Sequence, residues 1–96
     1  MLLKFGVSIE RLNREIRRTL DPIESVYATN GEEAVLTSAG EGTHSVGSLH
    51  YANDAVDVRM PKKNAGEVAQ ELRRRLGKDF DVVVELDHIH VEHDPK

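Results

Sequence analysis

The chain has no cysteine. That single absence removes disulfides, thiolate zinc ligands and cysteine nucleophiles together, and it leaves the redox compartment without a mark in the sequence. Tryptophan is also missing, and two tyrosines and two phenylalanines are the only large aromatic side chains, so a core must rest on Val, Leu, Ile and Ala. No apolar run is long enough to span a bilayer, and the opening Met1-Leu2-Leu3-Lys4-Phe5 is too short for a signal peptide. The expectation is a protein that is cytoplasmic as synthesised, or that leaves the cell by another route, such as lysis if it is of phage origin. Nor is there an excess of positive charge. The formal net charge is −4, and the basic clusters at 11–18 and 62–75 carry Glu at helical spacing, which reads as solvated helix faces rather than a nucleic-acid surface. No nucleic acid and no membrane are expected as partners.

What is present suits one small domain over residues 1–96, with 39% apolar and 31% charged residues, a globular rather than a disordered balance. Ile9, Leu12, Ile16 and Leu20 recur at helical spacing, predicting a helix over 8–20 with Ser8 as N-cap. Asp21-Pro22 ends it and opens a second helix, with Asp21 as cap, Ile23, Val26 and Tyr27 on one face, and Asn30-Gly31 as its close. Residues 34–37 read as a short strand and 38–47, with its glycines, as a loop. From 54 to 60 the pattern alternates, with Val56 and Val58 on one face and Ala55, Asp57 and Arg59 on the other, and Pro61 ends the strand. Residues 64–76 form the clearest helix, with Asn64 and Glu67 placed for a capping box, Ala65, Val68, Ala69, Leu72 and Leu76 inward, Arg73, Arg74 and Arg75 in water, and Gly77 after the last turn. Two more strands follow at 80–86 and 88–92. The mixture predicts an α+β domain, a small antiparallel sheet with helices packed on one face.

The chemistry concentrates in two places. Ser48-Leu49-His50-Tyr51-Ala52-Asn53-Asp54-Ala55-Val56-Asp57 sets a histidine seven positions before an aspartate, and Asp87-His88-Ile89-His90 brings an acid and two histidines near the C-terminus. Strand alternation turns Asp57 away from Val56 and Val58, and turns His88 and His90 away from Ile89 and Val91. If the two strands are neighbours, Asp57 and His90 lie side by side, and His50 reaches over from the preceding loop. Together the three make a His/Asp/His zinc site with an open position. Zinc held this way makes hydroxide available near neutrality by lowering the pKa of its water to about 7. A carboxylate must still move the proton; Asp87 is the first choice and Glu85 the second. His88, two residues from His90 on a flat strand, is expected to stand beside the metal or stabilise an oxyanion rather than bind the same ion. His44 reads as a rim residue, and His93 as a solvated one.

These residues resemble the LAS zinc metallopeptidases, the group of D-Ala-D-Ala dipeptidases and carboxypeptidases, phage L-alanyl-D-glutamate endolysins, lysostaphin-type endopeptidases and the hedgehog signalling domain. The shared pattern is Ser-x-His-x-x-Gly-x-Ala-x-Asp followed by a distal His-x-His or acid-x-x-His. The resemblance covers 33–60 and 82–92. It implies a hedgehog/DD-peptidase-like fold, zinc on His50, Asp57 and His90, and Ser48 lining the substrate site. It also implies an acid base, Asp87 in the dipeptidase branch or Glu85 in the hedgehog-like one. The implied substrate is a peptidoglycan stem peptide or a related D-amino-acid peptide. The chain departs from the pattern twice. Asn53 stands in the glycine position, where Asn tolerates a left-handed backbone. Thr37-Ser38-Ala39-Gly40-Glu41 stands where many members carry Ser-Gly-Tyr-Arg, so Glu41 replaces a substrate-holding arginine, and Arg59 and His88 are the candidates to take its part. The acid at Asp87 favours an enzyme; the missing arginine favours a zinc-stabilised binding module.

Overall fold

A computed structural model describes residues 1–39 and 53–95. The order is β1 (Leu2–Leu3), α1 (Arg14–Arg17), α2 (Leu20–Thr29), β2 (Val35–Ser38), β3 (Ala55–Arg59), α3 (Ala65–Leu76), β4 (Phe80–Val84) and β5 (His88–His93). The strands form one sheet in the order β1-β2-β3-β5-β4. Side chains from all three helices, among them Ile16, Ile23, Val26, Val68 and Leu72, share a single core with Leu36, Val56, Val58, Val82, Ile89 and Val91. The domain is therefore α+β, as the sequence predicts.

The sheet is mixed rather than antiparallel. The three pairs from β2 to β4 are antiparallel, but β1 runs parallel to β2, Leu2 opposite Val35 and Leu3 opposite Leu36. Residues 1–5 carry no strand signal in the sequence, because two leucines beside a lysine show no alternation; both are exposed. The strand exists through backbone pairing, with the Leu2 N–H donating to the Ala34 carbonyl and the Lys4 N–H to that of Leu36.

The first helix is also shorter than its apolar spacing implies. Asn13 takes the N-cap position, and only residues 14–17 are α-helical. Upstream, the Arg17 guanidinium donates to the carbonyls of Ile9 and Glu10, which replaces helical bonding with a side-chain clasp. α2 begins at Leu20 with Thr19, not Asp21, as its N-cap. It ends as expected at Asn30-Gly31, where Gly31 has φ +72. In α3 the capping box does not form. Asn64 is itself left-handed, at φ 62, and makes no side-chain cap bond. The buried stripe of α3 is Val68, Ala69 and Leu72. Arg73, on its wet side, folds back so that Nε and a terminal nitrogen donate to the Val82 carbonyl, occupying the outer edge of β4.

β3 and β5, the strands that matter for the site, are both interior, each paired on two sides. Val56, Val58, Ile89 and Val91 are fully buried between them and the helices. Each such side chain contributes about 1.5–3 kcal/mol of burial. A one-residue slip would turn all four to the other face, so the core fixes which side chains share the opposite face. Among the described residues no helix is long and apolar enough to cross a membrane.

Candidate metal centre

The face of the sheet away from the helices carries Asp57 and Arg59 from β3 and His88, His90 and Glu92 from β5. The β3–β5 register sets Asp57 opposite His90 and Arg59 opposite His88. Beside Asp57 the β2–β3 pairing carries a bulge: Leu36 faces Val58, but two residues on, Ser38 faces Asp57. The extra residue, Thr37, sends its hydroxyl to the Asp57 carbonyl at 3.3 Å. Such a bulge re-aims side chains locally, here next to the only carboxylate of β3. The turn into β3 is fixed from α1, where the Asn13 N–H donates to the Asn53 carbonyl and the Asn13 side-chain amide donates to Asp54 Oδ1. Asn53 has φ 63, the left-handed backbone expected where the resembling family carries glycine.

The side chains then converge. Asp57 Oδ1 lies 2.8 Å from His90 Nδ1 and 3.6 Å from His88 Nε2. The candidate donor atoms of Asp57, His88 and His90 all lie within 4.8 Å of one another. Each imidazole is also backed by a second carboxylate on its other nitrogen. His88 Nδ1 is 2.7 Å from Asp87 Oδ1, and His90 Nε2 is 2.7 Å from Glu92 Oε1. The centre is partly shielded, with side-chain exposures of 14% for Asp57, 18% for His90 and 28% for His88, whereas Asp87 is 86% exposed. His90 is held above its usual pKa, first by its hydrogen bond to Asp57, with burial opposing and Glu92 adding to the rise.

Two imidazoles and a carboxylate are donors that zinc accepts, and four-coordinate zinc with ligands at about 2.0–2.2 Å separates its donors by about 3.4 Å. The Asp57–His88 spacing already matches, and the Asp57–His90 pair needs to open by about 0.6 Å when its shared proton leaves. The three residues are compatible with a metal ion. The sequence expectation sets His88 beside the metal or at an oxyanion rather than on the same ion as His90; the structure brings its Nε2 to 3.6 Å from Asp57, in one group with His90. A flat strand keeps the two Cβ atoms nearly 7 Å apart, but the rings present different nitrogens toward Asp57, and the donor atoms of the three residues come within 4.8 Å of one another.

The remaining sequence candidates divide. Arg59 is exposed on the same face, across from His88, and its backbone carbonyl accepts the Tyr27 hydroxyl at 2.8 Å. Glu85 is exposed in the β4–β5 turn, where its N–H donates to the His88 carbonyl. Asp87 meets His88 rather than Asp57 or His90. Ser48 and His50, with Glu41 and His44, lie outside the described residues. His93, expected to be merely solvated, is half-buried with its ring 5.0 Å from that of Phe80. Glu92 was missed. The signal was present, since His90-x-Glu92 is the same-face spacing that singled out His88 and His90, but Glu92 lay outside the family pattern.

No protein-family model matches the chain, and neither a curated protein nor a solved structure matches it.

Proposed function

We propose that this protein is a zinc-dependent peptidase of hedgehog/DD-peptidase-like fold, acting on an amide bond of a peptidoglycan stem peptide or a related D-amino-acid peptide. One observation carries the metal part of the reading: two imidazoles, each backed by its own carboxylate, turn toward Asp57 on an accessible sheet face. That carboxylate–histidine arrangement is how metal-binding histidines are ordinarily oriented. The peptide part rests on the motif resemblance.

In this reading Asp57 and His90 hold the ion. His50 is the donor carried over from the resemblance, and His88 is the donor that the geometry adds. Zinc held there would supply Lewis acidity and acidify a water to near neutral pH. The chain's own work is to bind, orient and move protons. In this reading Asp87 takes a proton and returns it to a leaving amine; because its oxygen lies on His88 Nδ1, the nitrogen opposite the one facing Asp57, it would act through an intervening water. Glu85, in the same turn, is the alternative. Arg59, two residues along from Asp57 and so about 7 Å away on the strand, offers a cation to a substrate carboxylate.

The test is hydrolysis of a mixed peptidoglycan digest by zinc-loaded protein. Cleavage products, lost in Asp87→Ala while zinc is kept, are the expected result; activity that survives there and dies in Glu85→Ala moves the base to Glu85. No turnover of any cell-wall peptide would end the enzymatic reading.

The second reading is a zinc-stabilised binding module, and His88 is the observation that favours it. Were His50 and His88 both to sit on the metal with Asp57 and His90, four protein donors would close the coordination sphere, as in structural zinc sites.

A further inference from the structure

Both ring nitrogens of His90 face carboxylates, Nδ1 toward Asp57 and Nε2 toward Glu92. His88 is held the other way round, with Nδ1 on Asp87 and Nε2 toward Asp57. We propose that Glu92 is a positioning residue that commits His90 to bind metal through Nδ1, so that two histidines of one strand serve one ion through opposite ring nitrogens. This inference rests on the metal-centre reading above.

The argument is geometric. His88 and His90 project from the same face of β5, with Cβ atoms nearly 7 Å apart. Parallel rings offering the same nitrogen would keep their donors at about that spacing. Nε2 stands at the far end of an imidazole and Nδ1 next to its base, so using one of each lets the two donors meet at a single point. Nothing in a histidine chooses Nδ1 by itself, because a half-turn about the Cβ–Cγ bond points that nitrogen away. Glu92, two residues on and on the same face, opposes this half-turn by accepting the Nε2 proton at 2.7 Å. In doing so it fixes the tautomer and makes Nδ1 a stronger donor. Its side chain is 21% exposed, sheltered enough to hold its place without being part of the core.

The zinc-loaded full chain decides the matter by long-range proton–nitrogen correlation of its histidines. The expected spectrum has His90 protonated at Nε2 and metal-bound at Nδ1, with His88 the reverse. Zinc titration supplies the second readout. Glu92→Gln keeps an acceptor in place and should bind within about threefold of the unaltered chain, whereas Glu92→Leu should bind about 10- to 100-fold more weakly with an unchanged fold. His90 bound through Nε2, or Glu92→Leu binding as tightly as the unaltered chain, overturns the proposal. If Glu92→Leu fails to fold, the spectrum of the unaltered chain still gives the answer. Failure of the underlying reading looks different: the unaltered chain takes up no zinc, or zinc binding survives both Asp57→Ala and His90→Ala, and the proposal falls with it.

Discussion

Asp57 and His90 stand opposite each other in the β3–β5 ladder, and their side chains meet at 2.8 Å although 33 positions separate them in the chain. That pairing is a matter of register. It follows from Val56, Val58, Ile89 and Val91, which must all face the helices, and from the backbone bonds that pin the two ends of the ladder, His93 N–H to the Asp54 carbonyl and Met60 N–H to that of Asp87. A polar contact on the open face is thus positioned by apolar residues that take no part in it.

Without metal, the same contact favours the protonated form of His90. The His90 pKa is raised in the folded chain, above an unfolded value of about 6.5. Its contribution to stability is therefore fully present below about pH 6.5 and is lost as pH rises through the folded value. The urea midpoint of metal-free protein should fall on going from about pH 6 to about pH 9. His90→Gln should flatten that slope. An unaltered slope in the variant would mean that another group is responsible.

Asn53 gives a backbone prediction. A β-branched residue at its φ of 63 meets the left-handed penalty of about 1–2 kcal/mol, whereas glycine meets none. Asn53→Val should therefore lower stability by about that amount and Asn53→Gly should be close to neutral, with denaturant unfolding as the measurement. Equal effects of the two substitutions would show that the side chain, not the backbone, matters there.

Tyr27 ties the helical layer to the strand that carries Asp57. It is 1% exposed, its hydroxyl donates to the Arg59 carbonyl, and burial holds its pKa far above the ordinary tyrosine value. Tyr27→Phe removes one buried hydrogen bond, and a loss of about 1 kcal/mol is expected in denaturant unfolding. Tyr27→Ala also opens a core cavity, at about 3–5 kcal/mol by analogy with other large aromatic truncations. A phenylalanine variant as stable as the parent would mean that solvent satisfies the Arg59 carbonyl equally well.

The sequence was most legible where period and chemistry coincide. Asp57, His88 and His90 sit in strands whose alternation assigns every side chain to a face, so their meeting needed only the two strands to be neighbours. The left-handed backbone at Asn53 was expected only through the glycine position of the resembling pattern, which Asn tolerates. Long-range or purely backbone effects were not readable. β1 is held by carbonyl and amide groups that every sequence has. Helix spacing over 8–20 was overridden by the Arg17 clasp on the Ile9 and Glu10 carbonyls. Which ring nitrogen His88 and His90 each turn toward Asp57 was not readable either, a choice that goes with their contacts to Asp87 and Glu92 rather than with spacing.

That choice makes ligand count the measurement that separates the two functional readings. Loss of a carboxylate behind a metal histidine costs about 10- to 100-fold in affinity, and loss of the histidine itself should cost more. His88→Ala is therefore expected to weaken zinc binding by more than about a hundredfold, while the chain still folds, because His88 belongs to no part of the core. If His88→Ala keeps full affinity, His88 returns to an oxyanion role and activity alone should suffer. His50→Ala then completes the count. An equal loss in both variants means four protein donors and a closed, structural site. A loss in only one of them means three donors, with a position left for water and the chemistry that water permits.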